Sequence, residues 1–495
     1  MTRISTGIAG LDEVLDGGLL AGRIYMVRGR PGAGKTTLGV QFLAEGARQG
    51  ESVLFVTLSE TEAELRENAG SHGWELEGIS FLDLIPMADG PDAEQYSIFH
   101  PADVELIPVA RRIQEELERL RPTRVVFDSL TQVRLLSRDP LRYRRQIVAL
   151  KRTLLTRGIT SIFLGDDPRE GEDSEIASIV QGVIKLAWGR GREGMTRRSI
   201  EVEKLRGGSY REGEHPLRIE RGGIKVFPRL LSLEHGNDFE RGLLSTGIPA
   251  MDAMLGGGLD RGTCTLITGN AGVGKTSLGT AVLAHAVARG DRCALYTFDE
   301  GPAEIIYRSE AIGLEVRKAI ADGLLVIKKV NPLLLYPDEF AAWVRTEVEE
   351  RDARMVMIDS LNGYNQSMPD ENYLNGHMHQ LIGYLNRMGV TTILVNEITT
   401  LVGDLSATQF GISYMADNVV MIRYYEYDGS IHKAIGTIKK RLSGHEKFLR
   451  EFDVTGDGVI VGNTLPNMTG ILRGEATRGP RVHDGGGQGG GSRHG

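Results

Sequence analysis

The stretch that decides the fold occurs twice: Gly29-Arg-Pro-Gly-Ala-Gly-Lys35-Thr36 and Gly269-Asn-Ala-Gly-Val-Gly-Lys275-Thr276. Both match GxxxxGK[ST], a loop whose glycines let backbone N–H groups wrap phosphates at a helix N-terminus. Each copy follows a β-rich run (24–28 and 264–268), and the first opens a helical pattern over 35–49. That context is the one the motif requires. It assigns Gly29, Gly32, Ala33, Gly34, Lys35, Thr36 and Thr37 to one nucleotide site. Gly269, Gly272, Val273, Gly274, Lys275, Thr276 and Ser277 form the other. The lysines reach the β- and γ-phosphates and Thr36 and Thr276 hold Mg²⁺, so ATP and Mg²⁺ are the expected cofactors. An accidental Gly-rich turn is the competing reading, and it has to arise twice at matching places.

The match extends outward from the loops. Residues 3–50 align without gaps on 243–290 with 20 identities in 48 positions, where chance gives about three. The chain is a tandem duplication, its period too long for a solenoid unit and right for a whole domain. We place domain 1 at 1–235, domain 2 at 236–470 and a Gly-rich tail at 471–495, with the polar stretch 233–242 as the joint. In the first repeat, strands at 24–28, 52–58, 124–127 and 160–164 alternate with helices at 35–49, 104–120 and 141–157. The second repeats the strand pattern at 264–268, 293–298, 355–358 and 391–395. Such alternation predicts an α/β fold, each domain a mostly parallel sheet with flanking helices. The later parts, 176–228 and 415–462, read as added antiparallel strands.

Two further features complete a catalytic set. Apolar runs ending in Asp128 and Asp359 supply a second ligand for the metal beside Thr36 and Thr276. A water-activating base is expected where the next strand ends, at Ser59-Glu60 in one repeat and Asp299-Glu300 in the other. Glu60, Asp299 and Glu300 are therefore the catalytic candidates; a helix N-cap with an acidic first turn is the plainer alternative.

Composition narrows the class. The 495 residues include 58 Lys and Arg against 66 Asp and Glu, a net charge of −8 that argues against a non-specific nucleic-acid coat. Two cysteines give neither a disulfide framework nor a four-thiolate zinc site. Asp12, Glu13 and Asp16 stand where a signal peptide needs apolar residues, and no apolar run is long enough for a membrane span. A cytoplasmic protein without a membrane partner is expected.

The opening STGI, the paired phosphate loops, the strand-end acids and the run Lys204-Leu-Arg206-Gly-Gly-Ser-Tyr210 together resemble the KaiC family. The resemblance spans nearly all of 1–470 and implies two tandem RecA-like P-loop domains, ATP bound between subunits, a homo-hexamer and slow hydrolysis. It further implies that Lys204, Arg206 and Tyr210, with Lys439, Arg441 and His445 as counterparts, reach a neighbouring subunit's nucleotide. A solvated basic hairpin is the alternative. The family's paired Glu-Glu is Ser59-Glu60 and Asp299-Glu300 here, so the first acid is lost in one repeat and shortened in the other. Its autophosphorylation segment matches 408–417, which implies Ser413 and Thr408 as acceptors, with Tyr414 where the family has Thr.

Three functions stand as alternatives: an oligomeric ATPase with a Ser/Thr autokinase in domain 2 acting as a signalling or timing switch, together with regulatory protein partners; an ATP-gated scaffold with negligible turnover; or a RecA-type DNA motor. The motor reading draws on Arg134, Arg138, Arg142, Arg144 and Arg145 after Asp128. The second repeat has no basic residue there, and only Tyr143 interleaves for base stacking, so nucleic acid is not the expected partner.

Overall fold

The computed structural model describes residues 2–71, 73–74, 76–84, 106–131, 134, 140–167, 175–190, 195–366, 371–398, 414–466, 468–473 and 476–478. The chain divides into two compact units, Met1–Arg229 and Leu230–Gly495.

Among the described residues, the main sheet of the first unit has nine strands: β1 (Ile24–Gly29), β2 (Val53–Thr57), β3 (Ile79–Asp83), β4 (Arg124–Asp128), β5 (Thr160–Gly165), β6 (Gly182–Arg190), β7 (Thr196–Leu205), β8 (Glu214–Glu220) and β9 (Gly223–Val226). The second has β10 (Cys264–Gly269), β11 (Arg292–Thr297), β12 (Leu325–Lys329), β13 (Ala353–Asp359), β14 (Thr391–Glu397), β15 (Asn418–Tyr427), β16 (Ser430–Lys440), β17 (Arg450–Thr455) and β18 (Gly458–Thr464). Their orders are β9-β8-β7-β6-β1-β5-β4-β2-β3 and β18-β17-β16-β15-β10-β14-β13-β11-β12, the same topology twice. These are tandem RecA-like α/β domains.

Strands β2, β4 and β5 are buried along their whole length, which is why their sequences run apolar without alternation. Each sheet carries a core on both faces. In the first unit, helix Lys35–Arg48 contributes Leu38, Phe42 and Leu43 to one core. Helices Leu106–Leu120 and Pro140–Thr156 contribute Ile113, Leu117, Ile147 and Leu154 to the other.

Two details differ from the sequence reading. The first strand of each added part, β6 and β15, runs parallel to the phosphate-loop strand, and antiparallel pairing begins only with β7 and β16. The chain crosses over before β6 through the short helix Glu175–Ile179, so β6 enters in the direction of the other crossover strands. Strands β3 and β12 form the far edge of each sheet and carry a partly exposed face, which blurs the apolar signal that marks the inner strands.

The shared opening motif has a structural reason. Asp12 accepts from the Ser5 hydroxyl at 2.7 Å, the Thr6 N–H at 2.8 Å and the Thr6 hydroxyl at 2.7 Å. Asp252 does the same for Ser245 and Thr246 at 2.6, 2.8 and 2.6 Å. One carboxylate thereby holds the entry to each domain.

Candidate functional site

Parallel strands bring their C-terminal ends to one edge of the sheet, and each phosphate loop lies at that edge beside the acids that end the neighbouring strands. The loop needs glycine for two separate reasons. Gly34 and Gly274 sit at φ 102° and 110° immediately before the helices, a region L side chains rarely adopt. At Gly29 and Gly269, a Cβ would strike the carbonyls of Leu186 and Ile422 on the adjacent strand. Ala33 and Val273 turn their side chains into the cores, so only their backbone faces the site.

The two side chains expected to share the metal are hydrogen-bonded to each other in both units. The Thr36 hydroxyl donates to Asp128 Oδ2 at 2.7 Å, and Thr276 to Asp359 Oδ2 at 2.6 Å. The peptide bond after each aspartate is cis, at Asp128-Ser129 and Asp359-Ser360. Burial raises the Asp128 carboxyl above the ordinary carboxylate range; the Thr36 hydroxyl opposes this and the Glu60 charge adds to it. For Asp359, burial is again the main cause, and the group rises to about 6. A hydroxyl beside one buried carboxylate is a hard oxygen donor set that fits Mg²⁺, which keeps waters and takes phosphate oxygens for its remaining positions.

Around this common pair the units differ. In the second, a cavity of about 370 Å³ is lined by Lys275, Thr276, Asp299, Glu300, Asp359 and Glu397, among others. Asp299 accepts from the Ser360 hydroxyl at 2.8 Å. Glu300 is held by Arg308 through two bonds of 2.7 Å, so its oxygens are engaged. In the first unit Ser59 stands where Asp299 does, and Glu60 accepts a long 3.4 Å bond from Asn68, the residue aligned with Arg308.

The lysines differ as well. Lys35 Nζ donates to the Gly29 carbonyl at 2.7 Å and to Asp166 Oδ1 at 3.0 Å. Lys275 Nζ donates to the Asn270 carbonyl at 2.7 Å, and burial lowers its ammonium against the opposing pull of Glu397 and Asp359. Sequence reading missed Asp166, Glu397 and Arg308. The first two close apolar strands, the same signal that located Asp128 and Asp359; nothing local in the sequence marks Arg308.

Of the residues expected to reach a neighbouring subunit, Lys204 donates to the Ala177 carbonyl at 2.6 Å and Lys439 to the Ala416 carbonyl at 2.7 Å. Arg441 donates to the Tyr414 carbonyl and lies 3.6 Å from Asp417. Arg206 is exposed, His445 is half-buried, and Tyr210 packs on the first unit's core. Lys439, Arg441 and His445 do not line the cavity of their own unit. Thr408 and Ser413 lie outside the described residues, as do Arg138 and the side chain of Arg142. No described helix is long and apolar enough to cross a membrane.

A phosphate loop with its Thr–Asp pair, set at the same edge of two identically ordered sheets, defines a tandem P-loop ATPase. The chain belongs to the KaiC ATPase family: the family model described as "ATPase: KaiC" matches residues 4–230 and 244–465. It is 29% identical over 492 residues to the circadian clock oscillator protein KaiC of Acaryochloris marina, covering 97% of this chain and 92% of that protein. KaiC of Parathermosynechococcus lividus is 29% identical over 483 residues, 96% of this chain and 88% of that protein. KaiC 1 of Synechocystis is 29% identical over 485 residues, with 96% and 92% covered.

Proposed function

We propose that the protein is an ATP-binding and ATP-hydrolysing homo-oligomer, a hexamer by its resemblance to KaiC, whose second unit is the more active site and also phosphorylates its own hydroxyls at Ser413 or Thr408. The observation that carries this is the Thr276–Asp359 pair at 2.6 Å with Asp299 at the rim of the same cavity. Mg²⁺ held there supplies charge neutralisation for the transferring phosphoryl group. Lys275 binds the phosphates, Asp299 accepts the proton of the attacking water, and Ser360 fixes the orientation of Asp299. Glu300, engaged by Arg308, orients the strand end instead of taking the proton. Lys204, Arg206 and Tyr210, and Lys439, Arg441 and His445, act across subunits, where a cation near the γ-phosphate stabilises developing charge.

The first unit supports a second reading for itself. Without a carboxylate at Ser59, it binds ATP and turns it over slowly, serving the assembly as a nucleotide-dependent scaffold. As an ATPase and autokinase, the chain is proposed to work as a signalling or timing switch in the cytoplasm, with regulatory protein partners, no nucleic acid and no membrane.

Incubation with γ-labelled ATP and Mg²⁺ tests the proposal. Expected are released phosphate and label on the protein. Release without protein label overturns the autokinase, and neither product overturns the ATPase. Strong salt-sensitive binding to single-stranded DNA would instead support a motor.

A further inference from the structure

The ends of β5 and β14 place an acid against each phosphate loop by register. Gly165 pairs with Arg28, so Asp166 comes next at the level of Gly29; Glu397 pairs directly with Gly269. Both acids are fastened by the residue three positions after the metal-holding aspartate. Thr131 accepts from the Asp166 N–H at 3.2 Å, and the Asn362 amide donates to the Glu397 carbonyl at 3.3 Å. The acids are thus built into the sheet edge rather than carried on loose loops.

Their relation to the lysine is not the same. Asp166 Oδ1 lies 3.0 Å from Lys35 Nζ, with the lysine side chain 12% exposed. Glu397 lines the cavity with Lys275 but makes no ion pair with it among the described residues, where Lys275 donates instead to a neutral carbonyl. A phosphate that approaches Lys35 has to exchange with a carboxylate that is already its counter-ion. The same carboxylate, on a backbone fixed by Thr131, then stands beside the incoming anion and repels it.

We propose that Asp166 is a competitive latch on the first phosphate loop: a carboxylate that neutralises Lys35 and sets a lower nucleotide affinity in the first unit than in the second. This rests on the reading of both loops as ATP sites. Removing the charge while keeping the shape should therefore tighten binding, the opposite of what loss of a structural or ligating residue does.

The test uses the full chain carrying Lys275→Ala, so that only the first unit binds, with affinity for a fluorescent ATP analogue measured in the presence of Mg²⁺. Asp166→Asn added to this background is expected to tighten binding about fivefold, the upper end of the scale for one partly exposed ion pair. In the mirror background, Lys35→Ala, Glu397→Gln is expected to change affinity by less than about threefold. Unchanged or weaker binding by Asp166→Asn, with a melting temperature equal to its parent's, overturns the latch. Absence of binding by the Lys275→Ala parent overturns the nucleotide reading of the first unit and the latch with it. Asp166→Glu, which keeps the charge, should leave affinity near the parent value; tightening by this variant too would overturn the assignment to charge.

Discussion

The two units share one topology but support it with different side chains. The Ser5 carbonyl is taken by Arg124, at 2.8 Å, from the strand β4; the equivalent Ser245 carbonyl is taken by Arg289, at 2.7 Å, from the end of a helix. The carbonyls of Leu15 and Gly18 are met by Arg3, near the start of the chain. Those of Leu255 and Gly258 are met by Lys440, at the far end of β16, at 2.5 and 3.0 Å. A backbone acceptor turned inward must find a donor, but it does not matter which element supplies it. The three glycines, the lysine and the threonine of the phosphate loop, and the aspartate paired with that threonine, show no such freedom: they are the same in both copies. The strand-end acids proposed to activate water lie between these extremes: Ser59-Glu60 in one copy, Asp299-Glu300 in the other.

The largest effects should come from the part the copies share. Lys35→Ala is expected to remove nucleotide from the first unit alone, and Lys275→Ala from the second alone. Site-resolved occupancy by crosslinking of an azido-ATP checks this. Full labelling of both units in both variants would sink the assignment of the loops.

The next effect breaks the symmetry. In the Lys35→Ala background, Asp299→Asn is expected to slow phosphate release about 100-fold, the lower range for loss of a general base, while ATP affinity holds. In the Lys275→Ala background, Glu60→Gln should slow it less than about tenfold, because the first position there is already a serine. A larger loss from Glu60→Gln than from Asp299→Asn would mean that the second acid, not the first, activates water.

How much of this could be read from the chain depends on whether a feature is local. The phosphate loops, the Thr–Asp pairs and the parallel strands carry signatures of spacing and apolar run length, and they appear where the sequence places them. Ser59 against Asp299 was equally visible, since register alone aligns them. The edge strands β3 and β12 were not, because half-exposed strands lose the uninterrupted apolar pattern. Arg308 on Glu300 and Asp166 on Lys35 were hidden for another reason: each joins positions separated by 8 and 131 residues, through contacts that only the folded sheet edge defines. Arg124 illustrates the limit best. It opens an apolar strand and invites the reading of a boundary residue, yet its side chain is fully buried.

That arginine offers a stability test of the comparison. Arg124 donates to Glu51 at 2.9 and 2.7 Å and to the Phe42 carbonyl at 3.2 Å, and its guanidinium lies 4.9 Å from the Phe42 ring centre. The register of β11 and β13 puts Met355 at this position in the second unit. Arg124→Met copies the other unit's residue without its compensating Arg289, and is expected to destabilise the first unit by ~3 kcal/mol, as for a broken buried pair. Arg289→Ala, at a site 29% exposed, should cost the second unit ~1 kcal/mol. Urea unfolding followed by probes in each unit separates the two. Equal shifts would show that the two solutions carry equal weight.

The last effect depends on pH, and it concerns the aspartates proposed to hold the metal. Asp359 titrates at about 6 in the folded second unit against 3.8 for the free group, chiefly because it is buried. Between those values the folded unit keeps a proton that the unfolded chain has released, so stability falls as pH rises through this window. Above about 6 the full penalty applies, on the order of 2–3 kcal/mol. Asp359→Asn keeps an acceptor for the Thr276 hydroxyl but carries no charge. Measured without nucleotide or Mg²⁺, it should raise the second unit's unfolding midpoint at pH 7.5 and change it little near pH 4. Asp128→Asn should act with the same sign on the first unit, where burial also raises the carboxyl. With Mg²⁺ and ATP present the order should reverse, since the wild-type carboxylate then has a cation to neutralise it and the asparagine does not. A stabilisation that is equal at both pH values would trace the effect to packing rather than to the buried charge.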